Sequence, residues 1–207
     1  FVCRYVNLVP LKGWESDMTK SLILAGVGGQ GTILASKILA EGLIDLGYDV
    51  KMSEIHGMAQ RGGSVNTQIR FGKKVYSPMV SSGEASLLLA FEKIEAARYI
   101  NYLKPGGILI VNNYEIYSTP VLTGQEKYPD DILEKLKQTV ENTIVINAAQ
   151  IAKNLGNIKA QNMVLLGAAV KHLQIMNANW QEIIKAHLPE KFHEINIKAF
   201  QEGIKQA

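Results

Sequence analysis

The sequence predicts a three-layer α/β/α domain with a mixed sheet and a C-terminal helical segment. Three observations carry this reading. The apolar runs Ser21 to Val27, Ala85 to Phe91 and Ile108 to Val111 lack any period, as expected of strands buried on both faces. A glycine-rich turn, Gly26 to Gly31, joins the first run to a segment with helical spacing. From Gln161 onward, apolar residues recur at helical intervals.

In chain order, Phe1 to Asp17 stands apart from the rest of the chain. It contains no methionine, Arg4 interrupts its apolar part, and Met18-Thr19-Lys20 reads as a natural start just before the first strand. Residues 1–17 are therefore expected to be a non-native or extended N-terminal arm, with an authentic partner-docking arm as the alternative, and 18–207 the domain. After the glycine turn, Leu34, Ile38, Leu39, Leu43 and Leu46 predict a helix that Gly47 ends. Tyr48 to Ile55 is the second strand, so strand, turn, helix and strand are expected to form one right-handed βαβ unit. With glycines meeting the phosphate-binding pattern at its first turn, the unit is Rossmann-like.

The chain then departs from a standard dinucleotide fold. His56 to Gly63 is too short for a crossover helix, so Ser64 to Phe71 should pair antiparallel with the strand before it. Phe71 to Val75 reads as a further hairpin turn. Ala85 to Phe91 is followed by a helix from about Glu92 to Leu103, which Pro105-Gly106-Gly107 is expected to stop. Ile108 to Val111 is a strand ending at Asn112-Asn113. Asp130 should cap a helix bearing Ile132, Leu133, Leu136 and Val140, before a last strand, Thr143 to Asn147. In the tail, Gly167-Ala168-Ala169 permits close approach of another backbone, internal or from a second copy. Asn179 and Glu182 suggest a capping box, and Ile197, Phe200 and Ile204 mark the last helix.

The 207 residues, 47% hydrophobic and 20% charged, suffice for one such domain. A net charge of +3 without basic clusters argues against nucleic acid; Lys73-Lys74 reads as a solvated turn. The single cysteine, Cys3, excludes internal disulfides and a thiolate-held cluster. No apolar stretch reaches the roughly 20 residues of a membrane span, so no membrane partner is expected and the expected location is the cytoplasm.

Gly26, Gly28 and Gly31, with Gly29 and Gln30 between them, satisfy GxGxxG between a strand and a helix. Missing Cβ atoms let backbone N–H groups approach a phosphate, and the helix N-terminus adds favourable partial charge. Tight packing alone is the alternative. Glu54 sits where a nicotinamide enzyme binds ribose, yet the missing crossover favours a support role, with Arg61 as its partner. Arg61 can clamp an anion bidentately, Gln60 can donate or accept, and His56 can donate to an acyl oxygen or shuttle a proton. The same loop could instead hold a subunit interface. Asn112 stands at the strand edge where open α/β sheets contact ligands, and is also a good turn residue. His172, His187 and His193 lack metal-ligand spacing and read as surface or packing residues. No GxSxG or paired strand-end carboxylates occur.

These motifs taken together, Gly26 to Gly31 with Thr32-Ile33-Leu34-Ala35, Ser53 to Val65, Ser77-Pro78, Leu88 to Glu92 and Asn112, closely resemble the gamma-type domain of 2-oxoacid:ferredoxin oxidoreductases, most of all its indolepyruvate branch, whose beta subunit is the small chain. The resemblance runs from Met18 to the C-terminal helices. It implies CoA-dependent oxidative decarboxylation of an aryl 2-oxoacid to acyl-CoA, CO2 and reduced ferredoxin. Thiamine diphosphate, Mg and 4Fe-4S clusters are then expected on a large alpha subunit, with no metal held by this chain and with ferredoxin meeting the complex. The resemblance implies that the glycine loop, Arg61 and Asn112 lie at the coenzyme A site, with His56, Gln60 and Arg61 in supporting catalytic roles. A structural subunit, a subunit acting on pyruvate, 2-oxoglutarate or 2-oxoisovalerate, and a free-standing nicotinamide enzyme are the competing readings.

Overall fold

A computed structural model describes residues 19–57 and 62–206, apart from the side chain of His56. The elements in order are β1 (Lys20–Val27), α1 (Thr32–Asp45), β2 (Asp49–His56), β3 (Ser64–Gly72), β4 (Ala85–Ala90), α2 (Lys93–Tyr99), β5 (Leu103–Asn112), α3 (Thr119–Leu122), α4 (Ile132–Thr139), β6 (Thr143–Ile146), α5 (Ala148–Asn154), α6 (Gln161–Leu173), α7 (Trp180–His187) and α8 (His193–Lys205). The arm 1–17 lies outside the described residues.

One mixed sheet of six strands organises the chain, in the order β2-β3-β1-β4-β5-β6. The short link after β2 forces the antiparallel β2–β3 pair, in register from Asp49↔Gly72 to His56↔Val65. β3 then pairs antiparallel with β1, from Lys20↔Phe71 to Val27↔Ser64. The expected βαβ unit is therefore split: β3 stands between its two strands. A single βαβ unit leaves two adjacent parallel strands, but a hairpin partner of β2 needs a neighbour on its inner side, and the free edge of β1 supplies it. β1, β4, β5 and β6 run parallel.

The strands alternate faces. Leu22, Leu24, Leu87, Leu89, Ile110 and Ile69 pack beneath α1, α6, α7 and α8. Ile23, Ala25, Leu88, Ala90, Leu109 and Val111 pack with Ala96, Ile132 and Leu136 of the opposite layer. Burial of both faces explains why the central strands read as unbroken apolar runs. α1 closes as expected at Gly47, which sits at φ +87 and donates to Ile44 O, while Tyr48 N donates to Leu43 O.

Several local expectations fail. No hairpin follows Gly72; residues 73–84 have no regular structure and form a strap leading to β4. Pro105-Gly106-Gly107 does not stop α2, because β5 already begins at Leu103 and absorbs those residues in a register shift opposite Ala85 and Leu87. Asp131, not Asp130, precedes α4 and makes no side-chain cap. The Asn179–Glu182 capping box does not form: Glu182 pairs with Lys185, and the Asn179 N–H donates to Asp45 Oδ2 at 3.0 Å.

Candidate functional site

The carboxyl edge of the sheet collects the glycine loop, the tip of β2–β3, the end of β4 and the end of β5. The glycines divide their labour. A Cβ on Gly26 would lie 2.8 Å from Thr32 Oγ1 and 2.9 Å from Phe91 Cβ, so this position lets the strand press on α1 and β4. Gly29, at φ +104, has nothing within 4 Å of where a Cβ would be and faces outward. Gly31, also left-handed at φ +79, precedes α1 without any side-chain cap, and no acidic residue stands in the first turn. The positive end of the helix is thus left for another anion.

The two sequence motifs meet through backbone. Gly28 N donates to Gly63 O at 2.8 Å, and Gly62 N donates to Gly28 O at 3.2 Å. This pair fixes the foot of the His56–Gly63 loop against the glycine loop. Gln60, Arg61 and the His56 side chain lie outside the described residues. Glu54 points to Lys37, 3.9 Å away.

Gln30 and Asn112 take up internal work. Gln30 is buried; its Oε1 accepts from Val27 N at 2.7 Å and its Nε2 donates to Phe91 O at 2.9 Å. Asn112 is fully buried, donates from Nδ2 to Phe91 O (3.2 Å) and Gln161 Oε1 (3.0 Å), and accepts from Ala148 N at 3.1 Å. A line of amides thus runs from β1 across β4 and β5 to α6. It closes the crevice between β1 and β4, where open α/β sheets usually admit a ligand. The accessible surface is therefore the rim above this seal. Asn162, one residue on, donates to Gly31 O at 3.3 Å and ties α6 to the same turn.

Sequence reasoning missed Gln161 and Asn162; two consecutive amides opening an otherwise apolar helix were the available signal. It also missed Glu92. This carboxylate is 1% exposed, caps α2 through Glu95 N (3.0 Å), and accepts from Tyr128 OH (2.5 Å) and Ile116 N (3.4 Å). Burial first, and then the Glu92 hydrogen bond, push the Tyr128 phenol well above its ordinary range. Beside it, Lys93 pairs with Glu115 and holds that carboxyl below the usual range. Together these groups fasten residues 114–128 over the ends of β4 and β5. Their signal was a charged pair immediately after a buried strand.

A cavity of about 440 Å³ lies beside Asn113, lined by Tyr114, Asn147, Gln150, Lys153 and Ile158. Another of about 480 Å³, at Leu103 to Gly107 and Thr139 to Asn142, opens at the opposite sheet edge, away from the glycine loop. His187 lies 3.3 Å from Glu41, His193 bonds Leu188 O, and burial holds His172 below its usual range. Among the described residues no group of three His, Cys, Asp or Glu side chains could hold a metal ion. No helix among them is long and apolar enough to cross a membrane.

Residues 21–206 match the Pyruvate ferredoxin/flavodoxin oxidoreductase family. The chain is 38% identical to indolepyruvate oxidoreductase subunit IorB of Pyrococcus horikoshii over 194 residues, covering 90% of this chain and 95% of that one. The keto/oxoacid ferredoxin oxidoreductase gamma subunit of Geobacter sulfurreducens superposes with a TM-score of 0.67 at 27% identity, over 91% of this chain and 98% of its own. The 2-oxoglutarate:ferredoxin oxidoreductase of Magnetococcus marinus, solved with 2-oxoglutarate, coenzyme A and succinyl-CoA, shares the fold at TM-score 0.72 and 21% identity, over 91% of this chain and 31% of its own. The chain belongs to the pyruvate ferredoxin/flavodoxin oxidoreductase family and is a small subunit of a 2-oxoacid:ferredoxin oxidoreductase. Such relatives are subunits of larger complexes, which implies a larger partner subunit.

Proposed function

We propose that this subunit completes the coenzyme A side of an aryl 2-oxoacid:ferredoxin oxidoreductase and takes indolepyruvate as its preferred substrate class. The observation that carries the reading is the backbone pair between Gly28 and residues 62 and 63, which brings an uncapped helix start and the foot of the His56–Gly63 loop to one spot. An anionic co-substrate suits that spot. Backbone N–H groups at Gly29 and at Gly31 to Ile33 meet phosphate oxygens, while the Gln30 N–H stays on Val27 O, and Arg61 adds a bidentate cation. His56 and Gln60, on the same loop, orient the acyl group toward the partner. Resemblance to the indolepyruvate oxidoreductase subunit favours the aryl substrate, and a protein of the same fold solved with coenzyme A favours that co-substrate.

The redox groups belong elsewhere. The described residues offer no metal-holding cluster and the sequence carries one cysteine. Thiamine diphosphate with Mg, supplying the carbanion chemistry, and 4Fe-4S clusters are assigned to the large subunit, with ferredoxin as acceptor in the cytoplasm. This chain contributes binding, orientation and exclusion of water.

The test uses the assembled complex. Arg61→Ala should raise the KM for coenzyme A at least tenfold, while decarboxylation measured without coenzyme A is retained. Equal loss of both activities would assign Arg61 to subunit contact and end the coenzyme A reading. Comparing indolepyruvate, phenylpyruvate, pyruvate, 2-oxoglutarate and 2-oxoisovalerate in the same assay decides the substrate class.

A further inference from the structure

The start of β3 is held from a second side, by groups that the coenzyme A reading leaves unused. Ser64 follows the Gly62–Gly63 foot directly and lies opposite Val27 in the β1–β3 register. Its hydroxyl donates to Glu95 Oε2, in the first turn of α2. Ser64 Oγ also lies 3.4 Å from Tyr99 OH, which accepts from Asn66 Nδ2 at 2.8 Å. Ser64 and Asn66 stand two apart on β3 and so share the face turned to α2. The other Glu95 oxygen, Oε1, accepts from Arg98 Nε at 3.1 Å, and the Glu95 N–H donates to Glu92 Oε2.

Packing alone does not call for this arrangement. α2 already has an apolar anchor in Ala96, fully buried in the layer of Ile23, Ala25 and Leu88. Glu95 is 4% exposed, and a carboxylate at that depth is costly unless hydrogen bonds satisfy it. A hydrogen bond to a charged acceptor is shorter and stronger than a neutral one, so it suits a contact that must fix a position rather than fill space. The position fixed is that of Ser64, and through it the Gly63 carbonyl that takes the Gly28 N–H at 2.8 Å. Gln30 braces the same turn from within, through Phe91 O. Glu95 braces it from the α2 layer.

We propose that Glu95, acting through Ser64, is a positioning residue for the glycine turn and sets the geometry in which its N–H groups receive the phosphates of coenzyme A. Coenzyme A as the ligand rests on the proposed function; the bracing of the turn stands apart from it. Neither side chain touches the co-substrate. Tyr99 and Asn66 hold the Ser64 hydroxyl in line, and Arg98 fixes the second carboxylate oxygen.

The test uses the assembled complex and two readouts. Glu95→Ala and Ser64→Ala should each raise the KM for coenzyme A about tenfold, the worth of one lost hydrogen bond, with kcat within about twofold of wild type. The double variant should be no worse than either, since both changes remove the same contact. Glu95→Gln should keep the KM within about twofold, because its amide still bonds the Ser64 hydroxyl and accepts from Arg98. Amide exchange at Gly28 in the same complexes should quicken about tenfold in both alanine variants and not in Glu95→Gln. Additive effects in the double variant, or a lowered kcat at unchanged KM, would reduce Glu95 to a structural contact and overturn the proposal. Gly28 exchange at the wild-type rate would overturn it as well, as would an unmoved KM where Arg61→Ala raises it. If Arg61→Ala also leaves the KM for coenzyme A unmoved, the coenzyme A reading fails, and Gly28 exchange alone then decides the bracing.

Discussion

The glycine loop after β1 and the crossing of α6 with α8 both depend on glycine, for opposite reasons. At the crossing, a Cβ on Gly203 would overlap the carbonyl of Val164, and one on Gly167 would overlap the carbonyl of Phe200. The absent atoms there let two backbones touch. In the loop, Gly29 has no neighbour within 4 Å of its missing Cβ, is exposed, and sits at a positive φ. Glycine therefore marks contact within the chain in one region and an exposed, left-handed turn in the other. Gly26 belongs to the first kind although it stands in the second motif.

Substitutions separate the two roles. The largest expected effect on stability is Gly203→Ala, which must push α8 off α6 and should cost about 3 kcal/mol or more. Chemical denaturation of the chain measures it. A loss under about 1 kcal/mol, the centre of the ordinary range for substitutions, would mean that the crossing is not tight. Gln30→Ala comes next. It leaves the Val27 N–H buried without an acceptor while Asn112 still serves Phe91 O, for a loss of about 2 kcal/mol. Coenzyme A binding should weaken as well, because the turn loses its brace. Thermal melts with calorimetric titration of the complex would show both.

A smaller effect depends on pH. The Tyr128 phenol is raised in the fold by burial and by Glu92. In the unfolded chain it titrates near roughly 10. Below that value the phenol is neutral in both states and its contribution is fully present. As pH rises past it, the unfolded state ionises first and stability falls. Tyr128→Phe should flatten this alkaline decline in urea midpoints between about pH 9 and 11, the range around the reference value. An unchanged slope would show that other groups cause it. The smallest structural cost belongs to Gly29→Ala, about 1 kcal/mol for the left-handed backbone alone. Its KM for coenzyme A should nevertheless rise more than that of Gly203→Ala. The reverse order would dissolve the distinction between the two regions.

The legible parts of the fold were those set by local chemistry. The unbroken apolar run of β1 and the spacing of α1 mark their own boundaries, and Gly47 could end the helix because its φ is open to it. The brevity of the link after Ile55 was enough to foretell an antiparallel β2–β3 pair. The glycine turn and the loop after β2 were legible as two motifs, and they meet at Gly28, Gly62 and Gly63, but the internal bonds of the neighbouring amides were not legible. Gln30 and Asn112 resemble ligand contacts in sequence because amides at strand ends commonly are. Their buried bonds to Phe91, Gln161 and Ala148 join residues far apart in the chain. The capping box at Asn179 failed for a related reason: a tertiary acceptor, Asp45, took the N–H that local spacing had assigned elsewhere.

The sequence by itself determined the layered α/β class, the glycine turn, the absence of a thiolate cluster and a family resemblance that the comparison with relatives bears out. These depend on residue type, period and spacing, which act over one or two turns of chain. Only the tertiary structure decided that β3 divides the first βαβ unit, that amides seal the crevice between β1 and β4, and that Ser64 of β3 meets Glu95 of α2. Each is a choice among partners distant in the chain, settled by which buried polar groups can be satisfied together.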